Sequence, residues 1–335
     1  MSSRRMKPWI LTVFAAGLSW AAVVDSAANS FAQDTVPVRA GRRLSPDAIY
    51  TVQPALEAGE TTVGPIDLPF LASAGDLNWA PPTFPAGRPN YAPGTESLQQ
   101  MGKSVTLHQD VWGFEFTFKP VRMIAVDFPK AGGGVESKLV WYLLYRIRYT
   151  GNDLQPKQQA DQFGNPVYSD PAAVTEKAER RFVPRFTLSV PALGGSYAAQ
   201  FLPYALGPIA EKERIGKPLF DSIAIQRTPI KLSTPQVRND VWGVATWVGV
   251  DPRTDFFTVE VSGLTNAQKA EIKDGKLEFT QKTLVLNFSS PGDTVNELLD
   301  QIRYGVPASD DPVKQAEILR QYGLKERLDH YWVYR

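Results

Sequence analysis

The sequence predicts a mainly β protein, an antiparallel β-sandwich followed by a short helical segment. Three observations carry that prediction. Period-two alternation of apolar and polar residues dominates from Val105 to about Phe288, as in Phe114, Phe116 and Phe118. Clusters of turn-forming residues separate the alternating runs. After residue 293 the pattern changes to helix caps and apolar stripes.

The segment 1–32 reads as an export signal. Arg4, Arg5 and Lys7 precede a run without charge from Pro8 to Val24, which Asp25 closes. Ser30 and Ala32 suit signal peptidase and place cleavage after Ala32, with Ser26 and Ala28 as a second choice. The apolar run Ile10 to Val24 is shorter than the roughly 20 residues that cross a bilayer core. The mature chain is expected to begin at Gln33, to be periplasmic or secreted, and not to be an integral membrane protein after cleavage.

Residues 33–103 hold ten prolines and seven glycines in 71 positions, a density that works against helix and central strand. Clusters such as Ala80-Pro81-Pro82 and Gly87-Arg88-Pro89 are interspersed with Phe70, Leu71, Trp79, Phe84 and Tyr91. This stretch is expected to be an extended arm lying across the folded domain, or a linker.

Residues 104–292 form the expected sandwich domain. Leu139, Trp141, Leu143, Tyr145, Ile147 and Tyr149 share one face of a long strand. The other face runs from Val140, Tyr142 and Leu144 to Arg146 and Arg148. That strand should be central, buried on both sides at its start and half exposed at its end. Further strands are expected at Arg122–Phe128, Phe182–Val190, Ser222–Leu232, Val241–Val250, Phe256–Ser262 and Leu277–Phe288, with Pro184 and Pro229 marking edges or bulges. Two hairpins are legible. One joins Arg122–Phe128 to the long strand through Gly132-Gly133-Gly134, and the other runs from Trp242 to Ser262 around Asp251-Pro252-Arg253-Thr254-Asp255. Two smaller β-domains split near residues 160–180 are the alternative. Asp-Val-Trp-Gly occurs at Asp110–Gly113 and again at Asp240–Gly243, but a chance count on the order of one is expected for a tetrapeptide in a chain of this length.

Residues 293–335 are expected to form two short helices and a terminal strand. Thr294 and Glu297 form a capping box before Val295, Leu298, Leu299 and Ile302, with Gly305 as the stop. Asp311-Pro312 opens the second helix, with Val313, Ala316, Leu319 and Tyr322 inward and Gly323 as its end. Tyr331-Trp332-Val333-Tyr334 can add a strand to a sheet edge.

Composition narrows the chemistry. Residues 1–32 hold three of the 36 Lys and Arg and one of the 35 Asp and Glu, which leaves 33 basic against 34 acidic residues in the mature chain. That near-balance argues against nucleic acid as a partner. The absence of cysteine excludes disulfides, thiolate chemistry and lipidation at cysteine. His108 and His330 are the two histidines, too few for the usual zinc ligand set, and Gly194-Gly195-Ser196-Tyr197-Ala198 lacks the second glycine of a nucleophile elbow. Glu115, Asp127 and Glu260 sit on strands, where alternating charge is what any solvent face shows. No catalytic, metal or cofactor residue is singled out.

Aromatic side chains remain. Trp141, Tyr142, Tyr145 and Tyr149 share one strand, and Trp242, Trp247, Phe256 and Phe257 share one expected hairpin. Trp141 and Trp247 are expected in the core. Tyr142, Trp242, Tyr331 and Trp332 are the candidate contacts for a ligand or partner.

The run Val140-Trp141-Tyr142-Leu143-Leu144-Tyr145-Arg146-Ile147-Arg148-Tyr149-Thr150-Gly151 resembles the strand of bacterial immunoglobulin-like modules, in which an apolar strand ends in a polar residue and glycine. Trp242–Trp247 with Phe257–Asn266 is similar to uncharacterised exported bacterial proteins. The resemblance implies an immunoglobulin-like sandwich and brings no functional residue with it. The expected function is that of a non-enzymatic envelope protein, a binding or structural module for an envelope protein or a polysaccharide. The alternatives are a carbohydrate-active protein, either sugar binder or carboxylate-dependent hydrolase, and a scaffold that recruits a partner through its C-terminal segment.

Overall fold

The alternating run that ends at Arg148 forms β6 (Val135–Arg148), the centre of a six-stranded sheet. The computed structural model describes residues 48–66, 105–175, 177–273, 276–290 and 302–335. β4 (Glu115–Phe118) and β5 (Arg122–Pro129) pair antiparallel with successive halves of β6, and β14 (Val241–Val248) pairs with its other edge. β1 (Tyr50–Val52) lies beyond β4, and β12 (Leu219–Phe220) runs parallel to β14 at the far side. The Gly132–Gly134 hairpin between β5 and β6 is as the turn residues indicate.

A second sheet of seven strands is built the same way around β17 (Lys276–Ser289). β15 (Phe256–Ser262) and β16 (Gln268–Lys273) pair with it in succession, as do β18 (Arg303–Tyr304) and β19 (His330–Tyr334). β10 (Arg185–Val190) and β11 (Gly195–Ala198) continue the sheet beyond β15. Glu115 opposes Arg148 in the first sheet and Phe256 opposes Ser289 in the second, and 141 residues separate the members of each equivalent pair. The two Asp-Val-Trp-Gly copies do not share that displacement. One precedes β4 and the other opens β14, on opposite edges of β6.

The inner faces of the two sheets share one core. Trp141, Tyr145, Phe116 and Trp247 meet Phe186, Phe257, Leu284 and Phe288 there. Edge-on ring contacts of 5.3 Å between Trp141 and Phe257 and 6.2 Å between Phe118 and Phe288 cross from one sheet to the other. Each large apolar side chain so enclosed contributes about 2 kcal/mol. Trp141 and Trp247 are fully buried, as the alternation implies. On the opposite face, Val140, Tyr142 and Val244 pack beneath Ala205 and Ile209 of α1 (Pro203–Lys212). Gly207 and Pro208 hide α1 from periodicity, yet the burial of Ala205 and Ile209 holds it in place.

Several expectations are corrected. β14 and β15 are not a hairpin, because they belong to different sheets. The Asp251 turn forms, with Thr254 N–H donating to the Asp251 carbonyl at 3.1 Å, but Gly249 (φ +79) and the buried Val250 turn the chain out of the first sheet before it. The expected strand Ser222–Leu232 is instead α2 (Ala224–Arg227) followed by β13 (Pro229–Lys231). Asp221 caps that turn by accepting from the Ile223 and Ala224 N–H groups, both at 2.7 Å. β13 pairs with β9 (Glu179–Arg181) in a separate two-stranded ladder, and its Ile230 packs into the core that the two large sheets share. A polar hairpin, β7 (Asp153–Ala160) with β8 (Pro166–Val174), occupies much of the stretch considered as a domain boundary, and all described residues fall in one unit, Arg43–Arg335.

At the C-terminus, Tyr331–Tyr334 adds a strand to β17 as expected. α3 (Pro312–Tyr322) is capped by Asp311, which accepts from Val313 N–H at 2.9 Å, and ends at Gly323 (φ +69). Among the described residues only its last turn finds a seat. Tyr322 is buried and its hydroxyl donates to the Phe288 carbonyl at 2.6 Å, whereas Val313 is 75% exposed and Ala316 is exposed, against expectation. Gly305 ends no helix, since Arg303 and Tyr304 before it are strand β18. The other residues of that expected helix, 294–301, lie outside the described residues, as do the export signal and residues 67–103.

Of the Pro-rich stretch, residues 48–66 are part of the fold. β1 enters the first sheet, and β2 (Thr62–Ile66) pairs with β3 (Val105–His108). Between them Glu60 reaches the second sheet. Lys282 of β17, 2% exposed, donates to Glu60 Oε1, to Glu57 Oε1 at 2.8 Å and to the Ala55 carbonyl at 2.6 Å, while the Tyr334 hydroxyl donates to Glu60 at 2.6 Å.

Candidate functional site

The parity of β6 sets the site. Because Trp141, Leu143, Tyr145 and Ile147 face the core, Arg146 and Arg148 must face outward, past the end of the surface that α1 covers. Strand registers then assemble two transverse rows on this outer face. Thr51 opposes Thr117, Thr117 opposes Arg146, Arg146 opposes Trp242, and Trp242 opposes Leu219. The neighbouring row contains Glu115 opposite Arg148, flanked by Gln53 and Asp240.

Hydrogen bonds run along both rows. Gln53 Nε2 donates to Glu115 Oε2 at 3.1 Å, and Arg148 Nη1 lies 3.1 Å from Glu115 Oε1. Arg148 grips Asp240 through Nε at 2.6 Å and Nη2 at 3.0 Å. In the other row the Thr51 and Thr117 hydroxyls are 3.0 Å apart and Arg146 Nη2 donates to Thr117 at 3.2 Å. The Arg146 guanidinium sits 5.9 Å from the centre of the half-buried Trp242 ring. Burial pushes the Asp240 carboxyl up, but the Arg148 hydrogen bonds and the charges of Arg146, Arg148 and Lys217 outweigh it and hold the group below the usual carboxylate range.

A second cluster borders this face under α1. The Glu213 carboxylate accepts from Lys119 Nζ at 2.7 Å, Tyr142 OH at 2.8 Å and Arg122 Nη1 at 2.9 Å. Burial raises the Glu213 carboxyl, and the hydrogen bonds from Lys119 and Tyr142 with the Arg122 and Lys119 charges bring it below its ordinary value. Burial, then the Glu213 charge, drives the Tyr142 phenol far up. These groups fix α1 to the sheet.

The structure separates the four candidate contact residues. Tyr142 is 1% exposed and committed to Glu213, so it offers no open ring to a ligand. Trp242 lies half-buried in the outer rows. Tyr331 and Trp332 are half-buried on β19 in the other sheet, opposite Val285 and Leu284, and Trp332 packs against the shared core. Sequence reasoning missed the partnership of Arg146, Arg148, Glu115 and Asp240. The outward parity of the two arginines was visible, but the carboxylates come from strands whose register no local pattern specifies.

Other candidates lie elsewhere. Asp127 is exposed on β5, and Glu260 is paired with Arg335. His108 stacks on Tyr168 at 3.6 Å, and His330 Nδ1 is 2.7 Å from the Tyr304 hydroxyl. Among the described residues no group of three or more His, Cys, Asp or Glu side chains could hold a metal ion, and no helix is long and apolar enough to cross a membrane. No protein-family model, no curated protein and no solved structure matches this chain.

Proposed function

We propose that the chain is an exported, non-enzymatic envelope protein with an immunoglobulin-like sandwich, acting as a binding module through the outer face of its six-stranded sheet. One observation carries the reading. The carboxylates on that face are committed to arginine, since Glu115 and Asp240 both pair with Arg148, while the Trp242 ring stays half open beside Arg146. Asp240, held below the usual carboxylate range by the two-pronged Arg148 guanidinium, is a poor proton carrier. An aromatic face next to a guanidinium is a recognition surface. Two sheets, antiparallel except for the β12–β14 pair, around one core support the sandwich, and the charged-then-apolar N-terminal pattern supports export.

The test uses the purified full-length mature chain. It should co-sediment with the insoluble polysaccharide fraction of the envelope, and Trp242→Ala should weaken that association about tenfold, the equivalent of about 1.4 kcal/mol, with an unchanged melting temperature. It should release no product from a panel of glycans and esters. Turnover that disappears in Glu115→Gln would replace this reading with an enzymatic one.

A further inference from the structure

We infer that Arg146 and Trp242 form a subsite for a carboxylate-bearing sugar, so that the polysaccharide taken by this face is acidic. The inference rests on the binding-face reading and names its ligand class.

The two arginines of the face differ in how far they are satisfied. Arg148 spends Nε and Nη2 on Asp240 and Nη1 on Glu115. Arg146 has the same five N–H groups, and among the described residues it makes one hydrogen bond, to Thr117 at 3.2 Å. Asp240 stands 3.4 Å from its Nη1, on an oxygen that Arg148 already holds at 3.0 Å, and Arg146 Nε is enclosed without an acceptor. The guanidinium is thus anchored by a hydrogen bond at Nη2 and the Asp240 charge at Nη1, with its Nε closed off and the side chain 22% exposed.

Charge points the same way. Arg146, Arg148 and Lys217 act on or pair with the two carboxylates Glu115 and Asp240, three cations against two anions. The two anions are consumed by Arg148, so the surplus falls beside Trp242. A planar carboxylate matches the planar guanidinium fork, and a sugar ring presents the C–H face that an indole accepts. A ring bearing one carboxylate satisfies both neighbours at once. The row from Leu219 to Thr51 crosses four interstrand spacings, about 19 Å, and ends at the exposed Thr51, with Thr117 buried between it and Arg146. That length suits a chain of sugars better than a single one.

The test is isothermal titration of the full-length mature protein with polygalacturonate, with fully methyl-esterified polygalacturonate, and with dextran. The first two share a backbone and differ in charge. The acid form should bind at least tenfold more tightly than the ester, with dextran weakest. Arg146→Gln should bring acid and ester to the same affinity, Trp242→Ala should weaken both, and melting temperatures should show that both variants fold. Equal affinity of the unmodified protein for acid and ester overturns the acidic subsite and leaves the binding face standing, whatever the variants do. A preference for acid that survives Arg146→Gln overturns the assignment to Arg146. Failure to bind any of the three overturns the inference, and only if envelope co-sedimentation also fails does the binding-face reading fall with it.

Discussion

Arg148 Nε lies 2.6 Å from Asp240 Oδ1 and its Nη2 lies 3.0 Å from Oδ2, so the arginine at the end of β6 clamps the residue that leads into β14. Both side chains are mostly enclosed, and the clamp closes the seam between two strands, beside the Arg146 contacts to Asp240 and to the Trp242 ring.

Asp240→Asn should therefore cost about 2 kcal/mol in urea denaturation, the range of a charge-assisted hydrogen-bonded pair. The acid limb should change as well. Because the folded carboxyl is held below its ordinary value, its contribution is full above the ordinary carboxylate pKa and is lost as pH falls through the depressed one. The unmodified protein should lose stability in that low-pH window more steeply than Asp240→Asn. Parallel acid limbs would show that the clamp contributes nothing to the pH response.

Tyr145 should be improvable. Its hydroxyl is fully enclosed and has no hydrogen-bond partner among the described residues, and burial drives its phenol far up. Removing the oxygen in Tyr145→Phe takes away a desolvation cost and should raise stability by about 1 kcal/mol, read as a higher urea midpoint. A lower midpoint would mean that the hydroxyl has an acceptor after all.

Gly243 should not tolerate a methyl group. A Cβ at this position would lie 2.4 Å from Cζ of the Tyr145 ring, which crosses over the glycine from the neighbouring strand. Gly243→Ala should destabilise by about 2 kcal/mol through overpacking. Adding Tyr145→Phe should not rescue it, because the clash is with ring carbon as well as oxygen. Full rescue in the double variant would locate the strain in the hydroxyl alone.

Lys282 and Glu60 should behave as a coupled pair. Each is almost wholly enclosed, so Lys282→Met leaves a buried carboxylate without its cation and should cost about 3 kcal/mol. Lys282→Met with Glu60→Gln should recover part of that loss. A double-mutant cycle that closes without a coupling energy would reduce the contact to coincidental proximity.

What could be read from the sequence depended on whether the information was local. The inward set Trp141, Leu143, Tyr145 and Ile147, the β5–β6 hairpin, the Asp311 and Gly323 ends of α3 and the terminal strand are each specified within a few residues, and the structure has them. β14 and β15 look like a hairpin for the same local reasons, but sheet membership is decided by pairing with other strands, Lys276–Ser289 for β15 and Val135–Arg148 for β14. The outer rows escaped for a related cause. Arg148 is visible as an outward residue of one strand, yet Glu115 precedes it by 33 positions and Asp240 follows it by 92, and only register brings the three together. The repeated Asp-Val-Trp-Gly has a physical meaning after all, though not duplication. In both copies the glycine leaves room for a side chain from elsewhere, Pro54 over Gly113 and Tyr145 over Gly243.

Ile66 and Val105 face one another across the β2–β3 pairing, although the Pro-rich residues 67–104 run between them. Among the described residues, the partners that hold residues 50–66 in place lie on the far side of that stretch: β4 beside β1, β3 beside β2, and Lys282 against Glu60. A chain severed anywhere between Ile66 and Val105 would therefore have its two pieces joined by a sheet edge, a hairpin and a buried ion pair. The protein is in this sense divisible, and residues 33–66 produced separately should complement residues 105–335 into one folded complex.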